Sequence, residues 1–166
     1  MLSNEQSRPM KTKRNRLMSF IPALALCWTC CSGFGQSADQ IAAARDILSK
    51  APPAELAAKC VELVAGAPSK EKVAVAAAVG HAVAKVNSQV TPAAVTAVAT
   101  REPSVAPAIA AAATTELPNS APAIAVAAIK SPRVNERDVR AAVIAAAPGQ
   151  AVSIITALVQ AKGAAR

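Results

Sequence analysis

The chain has 166 residues, a net charge of +8 and 53% hydrophobic content, yet it holds only one histidine, four cysteines and three aromatic residues. That length supports the core of one domain. A single histidine excludes a His-rich metal cluster, and six scattered glycines form no phosphate-cradling loop.

Residues 1–36 read as a signal peptide. Lys11, Lys13, Arg14 and Arg16 precede an apolar run from Leu17 to Cys31, followed by the small, polar stretch Ser32-Gly33-Phe34-Gly35-Gln36-Ser37. That order of charge, apolar run and small residues is the secretory pattern. Cleavage after Gly35 and cleavage after Ser37 both place small residues at the required positions, and Met10 is an alternative start. An uncleaved membrane anchor and a lipoprotein acylated at Cys27, Cys30 or Cys31 are the competing readings. Pro22 and the polar end weaken the first, and Leu26 before Cys27 weakens the second.

Removing the leader removes Phe20, Trp28 and Phe34, which are all the aromatics, and leaves Cys60 as the sole cysteine. No internal disulfide can then form, although the compartment would permit one. Thirteen basic and nine acidic residues remain, so the mature charge is +4. Most of the precursor's basicity is targeting signal and does not point to nucleic acid. The lack of an aromatic stacking platform agrees with that.

Residues 37–166 read as a single Ala/Val-rich helical domain of about eight short helices punctuated by proline. Alanine is the best helix former, and proline is tolerated only in the first turn or between helices. The first helix opens on the capping box Ser37-x-x-Gln40 and runs to Ser49. Pro52-Pro53 starts the second, with Leu56, Cys60, Leu63 and Val64 on one stripe. Ser69 caps the third, which carries Val73, Val75, Val79 and Val83. Thr91-Pro92, an N-cap followed by proline, opens the fourth.

Two segments then align at a spacing of fifteen, with Pro103, Pro107 and Ile109 matching Pro118, Pro122 and Ile124. These are the fifth and sixth helices. Asn135-x-x-Asp138 caps the seventh, and Pro148-Gly149-Gln150 opens the eighth, with Val152, Ile154, Ile155, Leu158 and Val159 apolar. A ten-residue helix and a five-residue turn make one arm of a hairpin, so the structural repeat is a helix pair. The competing reading is chance self-similarity of low-complexity sequence. The expected fold is all-α, with short antiparallel helix pairs stacked as a small α-solenoid or an irregular helical bundle.

The segments Ala-Pro-Ala-Ile-Ala-x-Ala-Ala and Ala-Ala-Ala-Pro-Gly-Gln-Ala-Val-Ser-Ile-Ile resemble the Ala-rich helical repeats of uncharacterised exported bacterial proteins over the last seventy residues or so. This resemblance implies a helical fold and export, and it carries over no functional residue.

Candidate chemistry is sparse. Cys60 and His81 fall in neighbouring helices as a conceivable nucleophile pair, although a free cysteine usually behaves as a small buried hydrophobe. Glu55 and Glu62 sit seven apart, and Glu136 and Asp138 crowd a helix start, where the macrodipole accounts for them. Lys130, Arg133, Arg137 and Arg140 form the one basic cluster and are the candidates for an anionic contact; a solvated face is the alternative. No catalytic residue, metal ligand or cofactor is expected.

The resulting expectation is a non-enzymatic exported helical-repeat protein, periplasmic or extracellular, that serves as an interaction or structural module. Its partner would be a protein or an anionic envelope polymer, with no nucleic acid, and with membrane contact only through an uncleaved leader. The alternatives are a small envelope hydrolase or redox protein using Cys60 or a carboxylate, and a peripheral membrane-surface protein.

Overall fold

Proline spacing and alanine content translate directly into the architecture of the computed structural model, which describes residues 38–164. The leader and the Ser37 half of the first capping box lie outside the described residues. Eight α-helices follow in order: α1 (Ala38–Ser49), α2 (Leu56–Ala65), α3 (Lys72–Val86), α4 (Thr91–Arg101), α5 (Ala106–Glu116), α6 (Ala121–Ala128), α7 (Glu136–Ala146) and α8 (Ala151–Ala164). Among the described residues there is no strand.

The last five helices begin at Thr91, Ala106, Ala121, Glu136 and Ala151, each fifteen residues after the one before. The repeat read from α5 and α6 thus extends over most of the domain. A common mechanism sets three of the breaks. Glu102, Leu117 and Ala147 each precede a proline and adopt φ between −128° and −138° with ψ between 64° and 75°. The ring of a following proline disfavours helical backbone at the residue before it, so the helix stops there. The proline then opens a 3₁₀ turn, Pro103–Val105, Pro118–Ser120 or Pro148–Gln150, that leads straight into the next α-helix. The break before α4 has no proline. There Asn87 is extended, and its side-chain Oδ1 accepts from the backbone N–H groups of Gln89 and Val90 at 3.1 and 3.3 Å.

Three expected helix starts are corrected. Pro52-Pro53 does not begin α2; it forms a turn in which Glu55 N–H donates to the Pro52 carbonyl, and the helix starts at Leu56. Ser69 is not the cap of α3, because the chain turns through Pro68, whose carbonyl accepts from both Glu71 and Lys72. Thr91 is not an N-cap either: it is already helical, and its hydroxyl donates to the Asn87 carbonyl at 2.9 Å. The Asn135 cap is present, with its side chain accepting from Arg137 N–H at 3.0 Å.

Packing places the odd helices in one layer and the even helices in another, because each helix stacks on the one two places along: α1, α3, α5, α7 and α2, α4, α6, α8. Consecutive helices connect the layers. Between α7 and the segment Pro148–Ala164, which holds α8, the chain bends by 117°.

The core follows the fifteen-residue frame. Three residues past each start stand Ala94, Ile109, Ile124, Val139 and Ile154, and seven past stand Val98, Ala113, Ala128, Val143 and Leu158; all ten are buried. These i, i+4 pairs form the buried stripe of each helix. Leu56, Cys60 and Val64 do the same for α2.

Position eight of α5 breaks the apolar pattern. Thr114 is fully buried, and its hydroxyl has no hydrogen-bond partner. A buried hydroxyl left unpaired carries its desolvation cost without return. Thr114→Val is therefore expected to raise stability by about 1 kcal/mol, read as a higher urea midpoint. A drop would show that the hydroxyl is bonded in solution.

Candidate functional site

The four basic residues singled out from the sequence lie between the end of α6 and the first half of α7. Lys130, just past the end of α6, borders two surface cavities, one along α6 and one at the α6–α7 turn. Arg133 is exposed in that turn, while Arg137 and Arg140 are exposed on α7, and among the described residues none of the three arginine side chains makes an ion pair. The acids interleaved with them do not quench them. Glu136 instead reaches across to Lys162 on α8, at 2.5 Å.

Two of the surface cavities are related by the repeat. Along α5 runs a groove of about 320 Å³ between Ala77 and His81 of α3 and Ala142 of α7, floored by Ala108, Ala111 and Ala112. Along α6 runs a second, of about 360 Å³, between Pro92 of α4 and Ala157 of α8. Seven lining residues correspond at a shift of fifteen, among them Ala77 with Pro92, Pro107 with Pro122 and Ala142 with Ala157. The periodic sequence thus builds the same apolar furrow on the outer face of each layer. Small side chains on the middle helix create the depression, and the flanking helices wall it. The two differ at their rims, where Thr115 on α5 is replaced by Lys130 after α6.

His81 gives the α5 groove its one polar wall. Its Nδ1 lies 2.9 Å from Glu116 Oε1, and Lys85 Nζ lies 3.2 Å from the same oxygen. Glu116 sits in the last turn of α5, where a carboxylate faces the unfavourable end of the helix dipole. Two groups on α3 satisfy it. Glu116 stands thirty-five residues from His81, so no local pattern announces this partner, and the stacking of α5 on α3 brings the two together. A carboxylate that orients an imidazole is one element of acid–base machinery. The neighbouring Thr115 hydroxyl is taken up by the Ala111 carbonyl at 3.1 Å.

Cys60 does not join this group. It is 0% exposed on α2, inside the core, and does not line the groove that His81 lines. Burial pushes its thiol up to about 12, which withholds the thiolate that nucleophilic chemistry requires. A stability consequence follows. The folded state keeps a proton that the unfolded chain releases above about pH 8.5. The stabilisation is therefore complete below that value and is lost as pH rises toward 12, with a slope on the order of 1 kcal/mol per pH unit. Denaturation of the wild type and Cys60→Val at about pH 8 and about pH 10.5 should show a steeper loss in the wild type. Parallel losses would mean that the thiolate is accommodated.

The carboxylates of the second helix are engaged with lysine. Glu55 precedes α2, and Glu62 is exposed and pairs with Lys59 at 2.7 Å, an interaction that raises the Lys59 pKa. Among the described residues, no three His, Cys, Asp or Glu side chains gather closely enough to hold a metal ion, and no single helix is long and apolar enough to cross a membrane. No family model, curated protein or solved structure matches the chain.

Proposed function

We propose that the chain is a non-enzymatic helical-repeat protein of the cell envelope or extracellular space, exported by its leader and acting through surface contact as an interaction or structural module. The observation that carries this reading is the pair of alanine-floored grooves, set fifteen residues apart in sequence and repeated on the two layer faces. A stacked array has little interior to spare for a site, and its useful surface is the extended face its repeats present. The partner would be a protein or an anionic envelope polymer. The buried, proton-retaining thiol of Cys60 supports the non-enzymatic half of the proposal.

A second reading draws on the His81–Glu116 pair, which could serve a small hydrolase with a nucleophile supplied from elsewhere. One experiment separates the two. A photo-cross-linking residue at Ala108 or Ala123, the equivalent floor positions of the grooves, should give discrete adducts in envelope extracts. No adduct, together with ester or thioester turnover that His81→Ala abolishes, would favour the hydrolase. N-terminal sequencing of the exported form tests the leader: the first residue should be Gln36 or Ala38, and an intact leader in the cytosol would overturn export.

A further inference from the structure

We propose that the groove along α6 takes the chain of a medium-length aliphatic carboxylate, whose charged head rests at Lys130, where the groove meets the cavity of the α6–α7 turn. The inference rests on the reading of the grooves as contact surfaces and names the occupant of one of them.

Composition selects the chain. Val126 and Lys130 line both the groove of about 360 Å³ along α6 and a second cavity, of about 440 Å³, which continues past Ile129, Pro132 and Val134 to Lys162 of α8. The groove itself is lined by Pro92, Pro122, Ala123, Val126, Ala127 and Ala157, and apart from Lys130 none of its side chains donates or accepts a hydrogen bond. The Ala127 carbonyl already accepts from the Thr96 hydroxyl at 3.0 Å. An extended peptide laid there would leave its own N–H and C=O groups unpaired against alanine and proline. A helix is too thick to sink in: with a diameter of about 10 Å and a pitch of about 5.4 Å it fills roughly 400 Å³ per turn, more than the groove offers over the whole of α6. A saturated chain is thinner and carries no polar group. Its length is set by α6, which runs for about 12 Å.

Charge selects the head. Lys130 makes no ion pair among the described residues, whereas Lys162 is held by Glu136 at 2.5 Å. These are the charged groups that line the turn cavity, and together they leave one positive charge. That balance suits a monoanion and disfavours a phosphate monoester, which carries nearly two negative charges. The repeat supplies the contrast. Fifteen residues earlier Thr115 stands in the place of Lys130 and Glu116 in the place of Ser131, so the α5 groove ends on a hydroxyl and a carboxylate. The cations beside Glu116, His81 and Lys85, are already turned to it. A carboxylate head gains a free cation at α6 and meets an anion at α5.

The test titrates the purified, isotope-labelled chain with decanoate, below the concentration at which decanoate self-associates, and follows the methyl resonances. Binding should saturate, with shifts concentrated at Val126, Ala127 and Ile129 and absent from Ala108 and Ala111 of the α5 groove. Octanoate should bind about fivefold or more weakly, because each methylene taken from water adds affinity. Decyltrimethylammonium should bind about tenfold or more weakly, and Lys130→Glu should invert that order. Ala123→Leu, which fills the groove floor, should weaken decanoate as well. Both substituted positions are exposed, and circular dichroism should confirm unchanged helicity. The proposal is overturned by unsaturable binding, by equal binding of the two head groups, by indifference to the variants, or by equal shifts in both grooves. Tighter binding of decyl phosphate would overturn the carboxylate assignment. Binding to phosphatidylglycerol vesicles with none to free decanoate would overturn it in favour of a membrane surface. Self-association in sedimentation that Ala123→Leu abolishes, with no decanoate binding, would overturn it in favour of a second copy. If decanoate fails while the cross-links at Ala108 and Ala123 persist, only this assignment falls; if both fail, the interaction reading falls with it.

Discussion

Ile109→Ala is expected to destabilise the domain by about 2–5 kcal/mol, toward the upper end of that range for buried truncations. Ile109 is fully buried on α5, the helix with neighbours on both sides in its own layer and in the layer beneath. The cost of a truncation depends on how far the surroundings collapse into the space. Around Ile109 they are largely alanine helices fixed by their own stacking, with Ala110, Ala112 and Ala113 adjacent in sequence, and alanine has no rotamer to swing inward. For a domain whose total stability is typically about 5–15 kcal/mol, that loss takes a large share of it. The fifteen-residue frame adds internal controls. Ile124→Ala occupies the equivalent site on α6 and should behave alike, whereas Ile155→Ala, on the open stripe of α8, should cost under about 1 kcal/mol. Urea midpoints of the three variants decide the matter. Similar losses at Ile109 and Ile155 would mean that the layers do not stack as described.

Gly80→Ala is expected to destabilise even though alanine is favoured over glycine by about 1 kcal/mol in a helix interior. A Cβ at Gly80 would lie 2.7 Å from the Ile109 carbonyl oxygen, 3.0 Å from Ala112 Cβ and 3.2 Å from Ile109 Cγ1. The first of these atoms belongs to the backbone of α5 and cannot retreat without moving that helix. Overpacking of a tight interface costs about 1–3 kcal/mol, so it outweighs the propensity gain. Gly80→Val, with two further methyl groups in the same space, should lose more again. Gly163→Ala supplies the contrast, since nothing lies within 4 Å of its added Cβ near the end of α8. It should be neutral or slightly stabilising. Thermal denaturation that ranks Gly80→Ala level with Gly163→Ala would refute the close α3–α5 approach.

Helix ends set by a following proline were the most legible feature of this chain. Pro103, Pro118 and Pro148 act through sterics on the residue before them, a constraint complete within two residues, so sequence alone announces it. Serine and threonine caps were less legible. Ser69 and Thr91 have the side chains that cap helices, but turns built on the Pro68 and Asn87 carbonyls took over the junctions they were expected to fill. Capping competes with every other local way of satisfying the same backbone groups.

The two outer grooves were half legible. Their alanine and proline positions recur at fifteen, but which faces stay open depends on how the layers stack. The same holds for the polar links between helices. Lys72 with Glu102, Thr96 with the Ala127 carbonyl, and His81 with Glu116 span thirty, thirty-one and thirty-five residues, roughly two repeats, because bonded helices are neighbours within a layer and not along the chain. Similarly, α8 reads as five apolar residues, of which stacking buries Ile154 and Leu158 and leaves Val152, Ile155 and Val159 in solvent.

By itself the sequence determined that this chain forms short helices, where most of them stop, and the period at which they recur, since those outcomes follow from propensity and from steric effects spanning a few bonds. Tertiary structure decided which faces away from the apolar stripes became core, which arginines have no ion pair among the described residues, and how far burial raises the Cys60 thiol. The links between helices join neighbours two helices along the chain, and no local pattern encodes those.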